Sequence, residues 1–251
     1  VKDVTKGFVQ DFEHFLRMNK KAANNTAVRY LRYLKNVMQY AIANKWATED
    51  PFLGKRFKRT VADRKALTEA ELKRMMDLDL KVYPRVEAVR DTFVFCCFTG
   101  LAFCDIKSLK RSDITTDADG RMWIRKHREK TGELSVIPLL DVPRRLIEKY
   151  SNHPKVLLEG VVLPVISNQR MNAYLKEVAD LAKINRHLTS HIGRHTFATL
   201  SLSNHVPIES ISKMLGHSDI RTTQIYAKMQ DKTIYEDMAT MRNKFDCAMM
   251  N

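Results

Sequence analysis

The run HIGRHTFATL, residues 191–200, sets His191 and His195 four residues apart with Arg194 between them. On one helical face that spacing admits three uses: two metal ligands, histidines satisfied within a core, or a pocket for an anion. A metal needs acidic or thiol partners. HLTSHIGRHTFATLSLSNH carries none, and it places a guanidinium among the imidazoles. His195, followed by TFATL, reads as a buried histidine that packs the helix. His191 and Arg194 stand at i and i+3 in the first turn, behind a Thr189–Ser190 cap. There the helix N-terminus favours negative charge, and a guanidinium fork can grip two oxygens of one phosphate.

Further along, MLGHSDIRTTQIYAKM ends a helix at Gly216, presents His217 just past it, and begins another helix carrying Tyr226. Lys130 sits in the turn REKTGE. Taken singly, these are a common capping residue, a common amphipathic core residue and an exposed turn lysine. Together with Arg194 and His191 they are the parts for phosphoryl transfer without a metal. The tyrosine oxygen attacks a phosphodiester, the arginine and histidines hold its non-bridging oxygens, and the lysine protonates the departing oxygen. A phenol with an ordinary pKa of about 10 needs neighbouring positive charge for this task, and the set supplies it.

The elements that must position these residues fall into two domains, expected at 1–60 and 61–251. In the first, Phe8, Phe12, Phe15 and Leu16 recur at helical spacing. A second helix follows a cap at Asn25 or Thr26, with an apolar stripe of Val28, Leu31, Leu34, Met38 and Ile42. Arg29, Arg32 and Lys35 share another side of it and are expected to contact phosphates, as are Lys55, Arg56, Lys58 and Arg59 in the extended basic linker that follows. Thr68 with Glu71 forms a capping box that opens the second domain. Residues 88–103, AVRDTFVFCCFTGLAF, are apolar almost all round, as a buried core helix is. Between about 113 and 140, turn chemistry and alternation predict a small β-sheet, and the helical period returns afterwards. The fold class is therefore mainly α with a small antiparallel β-sheet.

Composition agrees with a nucleic-acid partner. The 251 residues carry a net charge of +14, and residues 1–60 hold 13 Lys/Arg against 5 Asp/Glu. No run of about 18 apolar residues predicts a membrane span, and the first residues lack an apolar signal core. Cys96, Cys97, Cys104 and Cys247 fit neither a disulfide framework nor a zinc pattern, so buried reduced thiols in the cytoplasm are expected.

HIGRHTFATL followed by MLGHSDIRTTQIYAKM resembles the C-terminal motifs of the tyrosine recombinases, or phage-type integrases: H-x-x-R, then L-G-H, then a tyrosine nine residues after that histidine. TGLAFCDIKSLKRSDI is similar to the family's box I, EKTGELSVIPL to its lysine hairpin, and residues 1–60 to its helical core-binding domain. The resemblance spans nearly the whole chain. It implies a SAM-like core-binding domain and a catalytic domain clamped on double-stranded DNA, and a site-specific recombinase that forms a 3′-phosphotyrosine without metal, ATP or any other cofactor. In these roles Tyr226 is the nucleophile, Arg194 the phosphate clamp, His191 and His217 ligands of its oxygens with His191 a candidate base, and Lys130 the general acid. Tyr235 lies at twice the family's spacing from His217 and is rejected. The resemblance further implies a homotetramer on DNA, with the last twenty residues a helix that docks on a neighbour or on its own domain. Accessory DNA-bending proteins and a bacterial, nucleoid-associated setting complete it. Larger integrases carry an arm-binding domain ahead of the core-binding helices. A trimmed domain and a simpler recombinase are the two expectations here.

One position departs from the pattern. Box I ordinarily carries a second phosphate-clamping arginine directly after TGL, and here that residue is Ala102. Loss of such a group costs on the order of 3 kcal/mol in transition-state stabilisation. Arg90, twelve residues earlier and a little over three helical turns away, is the candidate replacement if both lie on one helix, with an ion pair to Asp91 or Glu87 as the alternative. Integrases of conjugative transposons and related mobile elements of anaerobic gut bacteria similarly lack the first arginine. Asp105 matches the acidic position of box I. A DNA-binding homologue that no longer cuts, and a type IB topoisomerase-like nicking and resealing enzyme, are the rival readings.

Overall fold

A computed structural model describes residues 3–60 and 66–226. The chain forms two compact units, 1–63 and 64–251. The described part of the first is helical. Helix α1 (Lys6–His14) starts behind Thr5, whose hydroxyl accepts from Phe8 N–H, and runs on into a π-turn over Phe15–Asn19. Helix α2 (Asn24–Ala43) buries Ala27, Val28, Leu31, Met38 and Ala41. It begins earlier than the cap signal at Asn25 or Thr26 implied: Ala23 is the N-cap, and no side chain caps it. Asn24 and Asn25 instead reach across to residues 58–60. Asn24 Nδ2 donates to Lys58 O and to Thr60 Oγ1, and Asn25 Nδ2 donates to Thr60 O. The expected free linker is thus partly fastened. Phe52 is fully buried with Val9, Leu16 and Leu31, which at about 2 kcal/mol or more for a buried aromatic holds residues 51–60 on this unit.

The second unit is built around α4 (Pro84–Thr99). Proline at its first turn starts it, and Gly100 stops it by turning left-handed at φ +66°. A side chain at Gly100 would also collide with Phe197, 2.4 Å from the position of its Cβ. Helix α4 is buried on all sides because it divides two apolar clusters. Val86, Val89, Phe93 and Cys97 pack with α3 (Glu69–Met76), α8 (Asn168–Leu181) and α9 (Ser190–Ser203). Phe95 and Cys96 pack with the sheet and with α6 (Asp141–Lys149) and α7 (Pro154–Glu159). The capping box of α3 is present in full, with Thr68 and Glu71 bonding reciprocally.

The sheet is a three-stranded antiparallel meander: β1 (Ile114–Thr116), β2 (Met122–His127) and β3 (Leu134–Pro138), with Ile124 opposite Ile137 in the core. Short α5 (Phe103–Lys107) leads into it from Gly100, and α10 (Ile208–Leu215) packs against β3. The architecture is therefore mainly α with a small antiparallel sheet. Cys96 and Cys97 are buried as thiols, whereas Cys104, at the start of α5, is exposed; Cys247 lies outside the described residues. No helix among the described residues is long and apolar enough to cross a membrane.

Candidate active site

Helix α9 crosses α4 closely because Gly193 has no side chain: a Cβ there would come within 2.6 Å of Cys96 Cβ. The next residue, Arg194, is consequently buried, at 3% exposure, and its guanidinium spans two distant turns. Nη1 donates to Gly100 O at 2.7 Å, and Nη2 donates to Leu215 O at 2.6 Å. Nη2 also lies 2.8 Å from His217 Nε2. A guanidinium only donates, so Nε2 accepts, and the ring proton sits on Nδ1, which donates to the buried Thr223 Oγ1 at 2.8 Å. Thr223 thereby fixes the His217 tautomer.

The electrostatics follow from that packing. No carboxylate lies within ion-pair distance of Arg194 among the described residues. Burial, then the charge of neighbouring Arg128, pull its pKa down to about 10, while Tyr226, Asp105 and Cys104 act in the opposite sense. Burial and the fields of Arg194 and Arg128 lower His217 to about 4, so its imidazole is neutral at pH 7. Three protein bonds leave Arg194 with two of a guanidinium's five N–H donors, on Nε and Nη1, for a ligand. A buried cation with spare donors, no counter-ion and a second cation beside it is arranged to receive an anion.

The helix N-terminus contributes less than its sequence implied. Thr189 is the N-cap of α9 but makes no capping bond. Ser190 N–H is taken by Asn172 Oδ1 of α8. His191 is exposed and meets His195 edge to face at 4.7 Å, and His195 in turn meets Tyr226 at 5.0 Å. The three rings form a file. His195 is half-buried within it, with its Nε2 shielded from solvent, so its packing reading holds only in part. The close imidazole neighbour of Arg194 is His217. Tyr226 stands in a turn just beyond α11 (Arg221–Gln224), its N–H bonded to Thr223 O, rather than within a helix. Tyr235 and the C-terminal segment from 227 lie outside the described residues.

Lys130 is exposed at the turn joining β2 and β3 and bonds to none of these groups. The hairpin that carries it is anchored by Asp105, which is fully buried: Oδ1 accepts Glu129 N–H at 2.9 Å, and Oδ2 faces Arg128 Nε at 3.5 Å.

Arg90 does not serve this site. Helix α4 ends at Thr99, so Arg90 and Ala102 never share a helix. Arg90 is 7% exposed, and its Nη1 donates to Met75, Met76 and Leu78 carbonyls at the C-terminus of α3. Its Nε pairs with Asp91, which also accepts from Lys149 and Tyr150. The alternative of an ion pair to Asp91 is what the structure contains. Sequence reasoning missed Arg128 and Thr223. Arg128 stood two residues before Lys130 at the end of a strand, a signal that pointed to the hairpin and not to the site.

In the first unit, Arg32, Arg56, Lys58 and Arg59 are exposed and pair with no carboxylate among the described residues. Lys35 is half-buried, Arg29 lies over Tyr30, and Lys55 is paired with Glu13 at 2.7 Å. Tyr30, Tyr33, Val37 and Tyr40 are exposed on a neighbouring flank of α2.

The model of the phage integrase family matches residues 65–233, and that of the phage integrase SAM-like domain matches residues 1–60. Tyrosine recombinase XerD of Staphylococcus saprophyticus is 25% identical over 250 residues, covering 93% of this chain and 82% of that protein. Tyrosine recombinase XerA of Saccharolobus solfataricus is 30% identical over 216 residues, covering 84% and 66%. Among solved structures, a lambda integrase (75–356) dimer bound to a COC′ core site superposes with a TM-score of 0.72 at 19% identity, over 92% of this chain and 83% of that one.

Proposed function

The chain belongs to the phage integrase family, the tyrosine recombinases, and from that premise we propose that it is a site-specific DNA recombinase acting through a 3′-phosphotyrosine at Tyr226, without metal or ATP. The observation that carries the reading is Arg194: buried, without a carboxylate, with spare donors, beside His217 and Tyr226.

In the cleavage step, Tyr226 Oη attacks the scissile phosphorus and the bond to the 5′ oxygen breaks. The phenolic proton passes to a base, for which His191 is the candidate, and the departing oxygen takes a proton from Lys130. Arg194 and His217 hold the non-bridging oxygens as negative charge grows on them. The free 5′-hydroxyl of a partner duplex then attacks the phosphotyrosine, so the energy of the broken bond is kept. Lys130 reaches the site from an exposed hairpin tip, which suits a group that meets DNA before it meets the phosphate. The first unit, taken as the core-binding domain at 1–60, supplies phosphate contacts from Arg29, Arg32, Lys35, Lys55, Arg56, Lys58 and Arg59. Lys55 must leave Glu13 to do so. A tetramer on DNA, accessory DNA-bending proteins and a cytoplasmic, nucleoid-associated setting belong to the same reading.

A second reading, a homologue that binds DNA without cutting it, draws on Ala102 alone. The two separate on a library of nicked duplexes with a randomised centre, in which the cleaved strand diffuses away and traps the enzyme. A covalent adduct is expected with the wild-type chain in the presence of a chelator, and none from a chain that only binds.

A further inference from the structure

Two guanidinium groups converge on the C-terminal end of α10. Arg194 Nη2 donates to Leu215 O, and Arg128 Nη1 donates to the next carbonyl, Gly216 O, at 3.3 Å. They come from different elements: Arg194 from α9, Arg128 from the residue that follows β2. Gly216 permits this, because a Cβ there would lie 2.7 Å from Arg128 Cδ and 2.5 Å from Ser135 Oγ. The Arg128 side chain is only 12% exposed, which is unusual for a residue in a hairpin turn. Its carboxylate neighbour is Asp105, which sits in the first turn of α5, three residues after Ala102. The box I turn therefore does hold an arginine, delivered by the hairpin and not by the turn itself.

We propose that Arg128 is the second phosphate clamp of this site, taking the non-bridging-oxygen contact for which box I carries only Ala102. The inference rests on the recombinase reading above and names a catalytic residue for it. The charge balance supports it. Arg128 faces one buried carboxylate, Asp105, Arg194 is paired with none, and His217 is neutral, so the cluster is one positive charge in excess. That suits a phosphodiester, and it suits the attacked phosphorus better, since a second negative charge develops there. Arg128 is held by two long contacts, 3.3 and 3.5 Å, which leaves three donors and the freedom to close on a ligand. The fields of Arg128 at Arg194 and at His217 agree with this placement.

A purely structural arginine, acting as counter-ion to Asp105, would also lie here, so the test must read contact with the phosphate. The probe is the trapped duplex selected from the nicked library, assayed for adduct formation in a single turnover. Arg128→Ala is expected to slow adduct formation about a hundredfold or more, with duplex affinity changed less than about tenfold. The deficit is expected to shrink to less than about tenfold on the same duplex bearing a methylphosphonate at the scissile position, where one non-bridging charge is gone. Arg128→Ala combined with Ala102→Arg is expected to recover at least about tenfold of the lost rate. Cleavage by Arg128→Ala within about threefold of wild type overturns the clamp, as does a deficit that persists unchanged on the methylphosphonate and is not relieved by Ala102→Arg. If the wild-type chain itself forms no adduct, the recombinase reading falls and the clamp with it.

Discussion

Arg90 and Arg194 are both buried arginines, yet their surroundings make them opposites. Arg90 is paired: Asp91 holds its Nε, Glu87 lies 3.8 Å from its Nη2, the carbonyls of Met75, Met76 and Leu78 take its Nη1, and Lys149 and Tyr150 complete the network around Asp91. Its charge is already met by carboxylates, and the cluster ties α3, α4 and α6 together. Arg194 has carbonyls and a neutral imidazole but no carboxylate at ion-pair distance, and the strongest charge acting on it is that of another arginine. A buried charge is tolerated when paired and is costly when not. The unpaired one therefore marks where an anion belongs, and the paired one marks where the fold is fastened. Burial alone does not distinguish function from structure; the counter-ion does.

The contrast can be broken most forcefully at Arg194. Arg194→Met is expected to cut adduct formation by about a thousandfold or more, while the melting temperature moves by only about 3 °C, because relief of an uncompensated buried cation offsets part of the cost of orphaning the Gly100 and Leu215 carbonyls. The same exchange at Arg90 should do the reverse. Arg90→Met orphans three carbonyls and half of an ion pair, costing about 3 kcal/mol, or about 6–12 °C in melting temperature, with the single-turnover rate of the folded fraction retained. A large thermal loss at Arg194 and none at Arg90 would invert the account.

Asp105 sharpens the comparison from the side of the hairpin. Asp105→Asn keeps an acceptor for Glu129 N–H but removes the charge facing Arg128. Cleavage about tenfold slower and faster hydrogen exchange at the Glu129 amide are expected, since a charged acceptor bonds about twice as strongly as a neutral one. The smallest effect is in pH. His217 is lowered to about 4 from an ordinary 6.5, so the unfolded chain takes its proton first as pH falls. The stability that neutral His217 provides is thus complete above about pH 6.5 and drains away toward pH 4. Thermal melts of wild type and His217→Gln should diverge above that window and converge within it. Parallel curves would contradict the burial of the ring beside the two arginines.

Local chemistry made much of the molecule legible in its sequence. The Thr68–Glu71 capping box, the meander between 113 and 140 and the helix end at Gly216 each depend on residues a few positions apart, and each is present. Misreadings began where a boundary or a distant partner decided the outcome. Residues 88–103 read as one apolar helix, but Gly100 packs under Phe197 and breaks it, which separates Arg90 from Ala102. The cap at α9 went to Asn172 of another helix, and the basic segment after Phe52 is held by Asn24 and Asn25. Arg128 reaches Gly216 across 88 residues of chain, and Arg194 reaches Gly100 across 94, distances over which no periodicity carries information. Residue types and spacing named Arg194, His217 and Tyr226; only packing could say which second cation stands beside them.

The most direct test of the central claim, that this cluster is built to transfer a phosphoryl group to Tyr226, is covalent trapping on nicked duplex in the presence of a chelator, followed by peptide mapping of the adduct. A DNA-linked peptide containing Tyr226 is expected, absent from Tyr226→Phe. No adduct from the wild-type chain, or one that persists in Tyr226→Phe, would contradict it.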